Sequence, residues 1–149
     1  AGALLPFQDI LKDDPFFVIY GDNYICFDLV DLKLFNERMK ADISILFHWR
    51  RDINNSGMAK FDSNGQIKNF IEKPISTSII DGWANAGVYY IERSNIFNIV
   101  NEKDDFGYNF FPKCLSKGFK LFGLKKNINL TPIDTPDLLS SGLEKFEKN

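Results

Sequence analysis

The sequence predicts an α/β fold, and three observations carry the prediction. The run FFVIY (residues 16–20) is apolar on both faces, as expected of a strand buried on both sides in a parallel sheet. It stops at Gly21-Asp22, and a helical pattern then leads into a second β-branched and aromatic run, ISILFHW (residues 43–49), so the order is strand, helix, strand. With 44% hydrophobic and 15% aromatic content, 149 residues can bury a sizeable core, and the chain reads as one domain or a large part of one.

The elements follow in chain order. Leu4, Phe7, Ile10 and Leu11 in ALLPFQDILK (residues 3–12) have helical spacing, with Pro6 tolerable only near the first turn, and Asp13-Asp14-Pro15 stops the helix. After FFVIY, Asp31 is expected to cap a helix over residues 32–40, ahead of the ISILFHW strand. SGMAKF and QIKNFIEKP flank the turn Asp62-Ser63-Asn64-Gly65, whose residues supply the φ > 0 positions a hairpin needs. WANAGVYYI (residues 83–91) reads as a strand, Ser94 as the cap of a helix over 95–100, residues 108–116 as helix and 120–124 as strand. TPDLLSSGLEKFEKN reads as an amphipathic helix capped by Thr135. There is no internal repeat, linker or low-complexity segment.

Composition excludes several classes. A net charge of −2 without a long basic run argues against a dedicated nucleic-acid binder, although a small anionic ligand remains compatible. The two cysteines, Cys26 and Cys114, lie far apart with no CxxC or Cys/His pairing, so neither a zinc site nor a disulfide framework is expected and a cytoplasmic setting fits. No apolar run approaches the roughly 20 residues of a membrane span, and no cleavable signal is expected ahead of the fold. The start at Ala1 is expected to reflect processing or a segment of something longer.

Gly21-Asp22 raises the functional question. In open α/β sheets ligands bind beyond the carboxyl ends of the strands, so a carboxylate released at such a tip faces a site. Gly21 lets the backbone approach a ligand without a Cβ, and Asp22 suits Mg²⁺, which takes one or two carboxylates plus phosphate oxygens. The same dipeptide also reads as a plain strand-ending turn. Taken alone, Glu72-Lys73 reads as a solvated strand end and Asn85-Ala86-Gly87 as a small-residue bulge. His48 reads as packing or strand surface, and Trp83 and Tyr89 as core aromatics or stacking partners for a sugar.

In order along the chain stand AGAL, DPFFVIYGDN, a D-x-x-x-L helix start, a hairpin G-x-x-x-x-D-x-x-G-x-I-x-x-F-x-EKP, and NAGVYYI. This string resembles the sugar-1-phosphate nucleotidyltransferase family over residues 1–100, and more loosely to about residue 139. The resemblance implies a Rossmann-like nucleotidyltransferase fold, with a mixed, mostly parallel sheet flanked by helices. It implies an enzyme that joins a sugar 1-phosphate to a nucleoside triphosphate, releasing pyrophosphate and giving a nucleotide sugar. Residue by residue, it implies Asp22 as a ligand of the catalytic Mg²⁺, Glu72 on the sugar hydroxyls and Lys73 on the sugar phosphate. Asn85 and Gly87 would line the sugar pocket. Gly21, in the GD motif, and Gly2, at the tail of a glycine-containing segment, would lie on the nucleotide side. In-line attack on the α-phosphorus needs no general base, because a phosphate monoester is already ionised near neutral pH; catalysis then rests on positioning and charge neutralisation.

Two departures stand beside these matches. The family opens with a strand and a glycine-rich loop bearing Arg and Lys that cradles the triphosphate, and no such loop stands in these 149 residues. The expectation is therefore the carboxyl-side part of one catalytic domain, incomplete at its amino-terminal side and inactive alone. It is also expected to pair through the free edge of FFVIY with an amino-terminal segment or a second copy. The family's late D-x-G-T-P, whose Asp is the second metal ligand, is here Pro132-Ile133-Asp134-Thr135-Pro136. A shortened loop could bring Asp134 to the metal; otherwise Asp134 belongs to a helix-start turn. Both departures also suit a non-catalytic nucleotidyltransferase-like subunit that binds a nucleotide sugar or regulates a partner.

Overall fold

The computed structural model describes residues 1–51, 53, 56–74, 81–92 and 94–140. A 3-10 helix, Gly2–Phe7, runs into a short α1 (Gln8–Leu11), then come β1 (Phe16–Ile19) and β2 (Asn23–Ile25). Next are α2 (Leu29–Met39), β3 (Ile43–Arg50), the hairpin β4 (Met58–Phe61) and β5 (Ile67–Ile71), and the long β6 (Gly82–Ile91). A 3-10 helix, Ser94–Asn98, and a π-helical turn, Phe106–Phe110, lead to α3 (Phe111–Ser116), β7 (Leu121–Lys125) and β8 (Leu130–Pro132). Residues 136–140 are helical, with Thr135 Oγ1 accepting from the Leu138 amide, so the expected cap is present, and the remainder of the expected helix, 141–149, lies outside the described residues. No helix among the described residues is long and apolar enough to cross a membrane.

The main sheet has the order β5-β4-β6-β3-β7, and β1 joins it on β6. It is mixed: β1, β3, β4 and β7 share a direction, which β5 and β6 oppose. Neighbouring strands nevertheless pair antiparallel everywhere except at β3–β7, because β6 runs back between β1 and β3. β1 thus has β6 as an antiparallel neighbour on one edge and no strand on the other among the described residues, and burial on both faces is corrected: Phe16, Phe17 and Val18 are half-buried and Ile19 is 52% exposed.

Alternation along the strands gives each face its own core. On one side Ile43, Ile45, Phe47 and Tyr89 pack with Phe110 and Phe111 from the π-turn and α3; on the other Leu46, Ala86, Val88 and Tyr90 pack against Leu32 of α2. Helical segments therefore cover both faces, the layered arrangement of an α/β domain. Helix α2 starts earlier than expected. Asp28 is its cap, accepting from the Val30 amide at 2.9 Å, while Asp31 sits in the first turn and pairs with Lys126. In the hairpin turn, Asp62 Oδ1 accepts from the Asn64 and Gln66 amides and Gly65 supplies φ of 82°. The two-stranded sheet β2–β8 was not foreseen; its strands are three residues each, too short for a periodic signal.

Candidate active site

The sheet is split along one edge of β6. Tyr90 pairs with Phe17 on one side and Ser44 on the other, and Ala84 pairs with Met58 and His48, so β1 and β4 share the edge opposite β3. They leave Asn85–Gly87 between them, tied on that edge by Asn85 N to Gly57 O (2.8 Å) and Tyr20 N to Gly87 O (2.9 Å). A cavity of about 380 Å³ lies at this split, where β1 and β5 end and β4 begins, with His48 and Arg50 of β3 in its lining. The carboxyl end of a strand such as β1 is where an α/β sheet places ligands.

Asp22 and Asp134 both line the cavity. The β2–β8 ladder sets Asn23 opposite Pro132, and one step further the Ile133 amide donates to Asp22 O at 2.8 Å, which brings the segment carrying Asp134 alongside the β1 tip. Asn23 Nδ2 donates to Asp22 Oδ1 at 3.2 Å, orienting that carboxylate. Neither carboxylate has a lysine or arginine at ion-pair distance among the described residues. No cluster of three or more His, Cys, Asp or Glu side chains converges among them either. Two carboxylates with the remaining positions left to water and phosphate oxygens is a donor set that fits Mg²⁺ and would not fit a caged structural metal.

Glu72 and Lys73 follow β5 into the same cavity. The Glu72 carboxylate lies over two glycines: a Cβ on Gly57 or Gly107 would collide with Oε2. Burial first, and the neighbouring Asp105 second, push the Glu72 carboxyl above the ordinary glutamate value, with Lys73 acting the other way. Asp105 is itself held by the Gly107 and Tyr108 amides, both donating to Oδ1, and so caps the π-turn. Lys73 has φ of 44°, a conformation a lysine seldom adopts and one that costs about 1–3 kcal/mol. Strain of this kind persists where the surrounding structure fixes a side chain for use.

Asn85 and Gly87 form a third wall. Asn85 Oδ1 accepts from the Gly87 amide (3.0 Å) and Nδ2 donates to Tyr89 Oη (2.8 Å), leaving one N–H and one lone pair of the amide for a ligand. Tyr89 is fully buried and carries this contact from below, so it is a core aromatic and does not stack in the cavity; Trp83 packs edge-on against Trp49. Gly87 has φ of 71°, and a Cβ there would lie 2.8 Å from Tyr20 Cγ. Its glycine is thus required by its own backbone and by Tyr20. Burial raises the Tyr20 hydroxyl pKa, partly offset by its hydrogen bond with Tyr89.

Two expected nucleotide-side glycines stand apart from this lining. Gly2 packs against the backbone carbonyl of Glu102, where a Cβ would collide, and donates to Asp104 O at 2.8 Å, so its small size serves packing. Gly21 joins two lining residues, and a Cβ there would meet nothing within 4 Å. Sequence reasoning missed Tyr20, Arg50 and Asp105, and placed His48 outside the site, although all four line the cavity. The available signal was position: Arg50 ends a strand, Tyr20 precedes the Gly-Asp tip, and Asp105 precedes an aromatic helical run.

The family model of nucleotidyl transferases matches residues 1–129. The chain is 25% identical to a glucose-1-phosphate adenylyltransferase of Trichlorobacter lovleyi, with 86% of the chain and 34% of that protein covered. It is 30% identical to a mannose-1-phosphate guanylyltransferase catalytic subunit beta of Drosophila melanogaster, with 76% and 31% covered. The chain therefore spans about a third of the length of the curated relatives it matches. Among solved structures, HddC from Yersinia pseudotuberculosis complexed with GMP-PN superposes with a TM-score of 0.74 at 22% identity, over 97% of this chain and 61% of that one. That likeness establishes the shared fold, and the family match over most of the chain carries the assignment: this chain belongs to the nucleotidyl transferase family.

Proposed function

We propose that the protein joins a sugar 1-phosphate to a nucleoside triphosphate, giving a nucleotide sugar and pyrophosphate. The observation that carries this is convergence: Asp22, Glu72-Lys73, Asn85-Gly87 and Asp134, drawn from four separate segments, line one cavity. The curated relatives named above are sugar-1-phosphate nucleotidyltransferases by name, which supports the same substrate classes.

In the reaction, an oxygen of the sugar phosphate attacks the α-phosphorus, a new P–O bond forms, and the bond to the β-phosphate oxygen breaks with its electron pair leaving on pyrophosphate. The protein's part is positioning and charge. Lys73 meets the phosphate of the sugar as a point charge. Glu72 accepts hydrogen bonds from sugar hydroxyls, and Asn85 offers its remaining N–H and lone pair to the same ring. Asp22 and Asp134 would hold Mg²⁺, which when bound neutralises phosphate charge.

The test is pyrophosphate release by the protein as encoded, across the four common nucleoside triphosphates and a panel of sugar 1-phosphates, with and without Mg²⁺. One pair should give Mg²⁺-dependent release, and Asp22→Asn should lower it at least about 100-fold. No release from any pair, or near wild-type turnover of Asp22→Asn at saturating Mg²⁺, would sink the proposal.

A further inference from the structure

Arg50 brings to the cavity a permanent cation that none of the roles above uses. In the β3–β6 register it stands opposite Gly82, and His48 stands opposite Ala84, so its cross-strand neighbours on that face are a hydrogen and a methyl group. That clears a path across β6. Arg50 Nη1 reaches Ser56 Oγ at 3.4 Å, on the segment entering β4 along the far edge of β6. At that length the bond is at the outer limit of a hydrogen bond, and it uses one of five guanidinium N–H groups. Among the described residues it is the only hydrogen-bond partner of the guanidinium.

The lining is net acidic, so a phosphate held there depends on every basic side chain present. Asp22, Glu72, Asp105 and Asp134 all line the cavity, against Lys73 and Arg50 as its permanent cations. A phosphate dianion entering there meets carboxylates on several sides, and Lys73 alone does not balance them. His48, buried behind Arg50, has its pKa lowered by burial first and by Arg50 second, so it adds a neutral hydrogen-bonding group and no second charge. A guanidinium matches phosphate oxygens in a two-pronged geometry that an ammonium lacks.

We infer that Arg50, reaching across β6 to Ser56, is a phosphate-binding residue of the substrate cavity, separate from Lys73. The inference rests on the proposed reaction only for which substrate brings the phosphate: the sugar monoester or the polyphosphate tail of the nucleotide. Titration calorimetry of the protein as encoded with inorganic phosphate and, separately, inorganic pyrophosphate tests it without turnover. Arg50→Gln should weaken at least one of these anions about 10- to 100-fold, and Arg50→Lys, which restores the charge without the two-pronged geometry, should recover only part of the loss. A response to phosphate points to the sugar monoester, and a response to pyrophosphate points to the nucleotide tail. Unchanged affinity for both anions in Arg50→Gln overturns the inference. So does an equal loss in Arg50→Lys accompanied by a lowered unfolding midpoint, the outcome expected of a mere strut for Ser56. Absence of pyrophosphate release from every substrate pair refutes the proposed reaction while the Arg50 dependence of anion binding still reads out on its own.

Discussion

Replacing Gly87 by alanine tests the local geometry that shapes the cavity. The native φ of 71° lies in the left-handed region, which costs a residue with a Cβ about 1–2 kcal/mol. The new Cβ would also sit 2.8 Å from Tyr20 Cγ and 2.9 Å from Tyr20 Cβ. Both are inside van der Waals contact, and overpacking of this kind typically costs about 1–3 kcal/mol. Gly87→Ala should therefore lose about 2–5 kcal/mol in urea unfolding followed by tryptophan fluorescence, with little change in m. In a Tyr20→Ala background the Cγ contact is gone, and the cost should fall by about 1 kcal/mol, a coupling expected only of residues in contact. A loss below about 0.5 kcal/mol would refute both the backbone and the packing arguments.

Lys73→Ala should raise KM for the sugar phosphate about 10-fold or more while KM for the nucleotide stays near wild type; an equal rise in both would put Lys73 on the wrong substrate. Asp134→Ala should shift the Mg²⁺ dependence of pyrophosphate release to higher concentration, and a profile identical to wild type would leave Asp134 as part of the turn before residues 136–140. Glu72→Gln should be more stable than wild type at pH 7. The raised folded-state pKa means that Glu72 favours folding fully below the ordinary value of 4.5 and that this contribution is lost as pH rises through the higher folded value. The variant's advantage should accordingly vanish at acid pH in thermal melts, and a constant difference across pH would show that Glu72 is not desolvated.

Burial and period were legible in the sequence, whereas neighbours were not. Long apolar runs located β1, β3 and β6 to within a residue or two, because alternation and β-branched content report on faces. They say nothing of which strand lies alongside, so the return of β6 between β1 and β3 was not legible in them. Helix α2 illustrates a boundary problem: Asp28 and Asp31 are both plausible caps, and the choice falls to Asp28, whose side chain accepts from Val30, while Leu32 goes fully into the core. At the site, the Gly-Asp and Glu-Lys motifs follow strand ends at the cavity, and Asn85–Gly87 lies within β6 where the sheet is split. Arg50 and Asp105 carry no motif and were visible only once the strands were placed.

Because β1 pairs with β6, the order of synthesis matters. Phe16–Ile19 must wait for Val88–Ile91, roughly 70 residues later, which at about 5–20 residues per second is several seconds of elongation. During that interval a short segment of high β-propensity lacks its β6 partner and can template wrong pairings. The contacts that close the cavity are likewise among the most distant in the chain, which predicts slow folding for its size. In a cell, yield should therefore respond more to elongation rate and chaperone supply than to changes that merely tune the finished core.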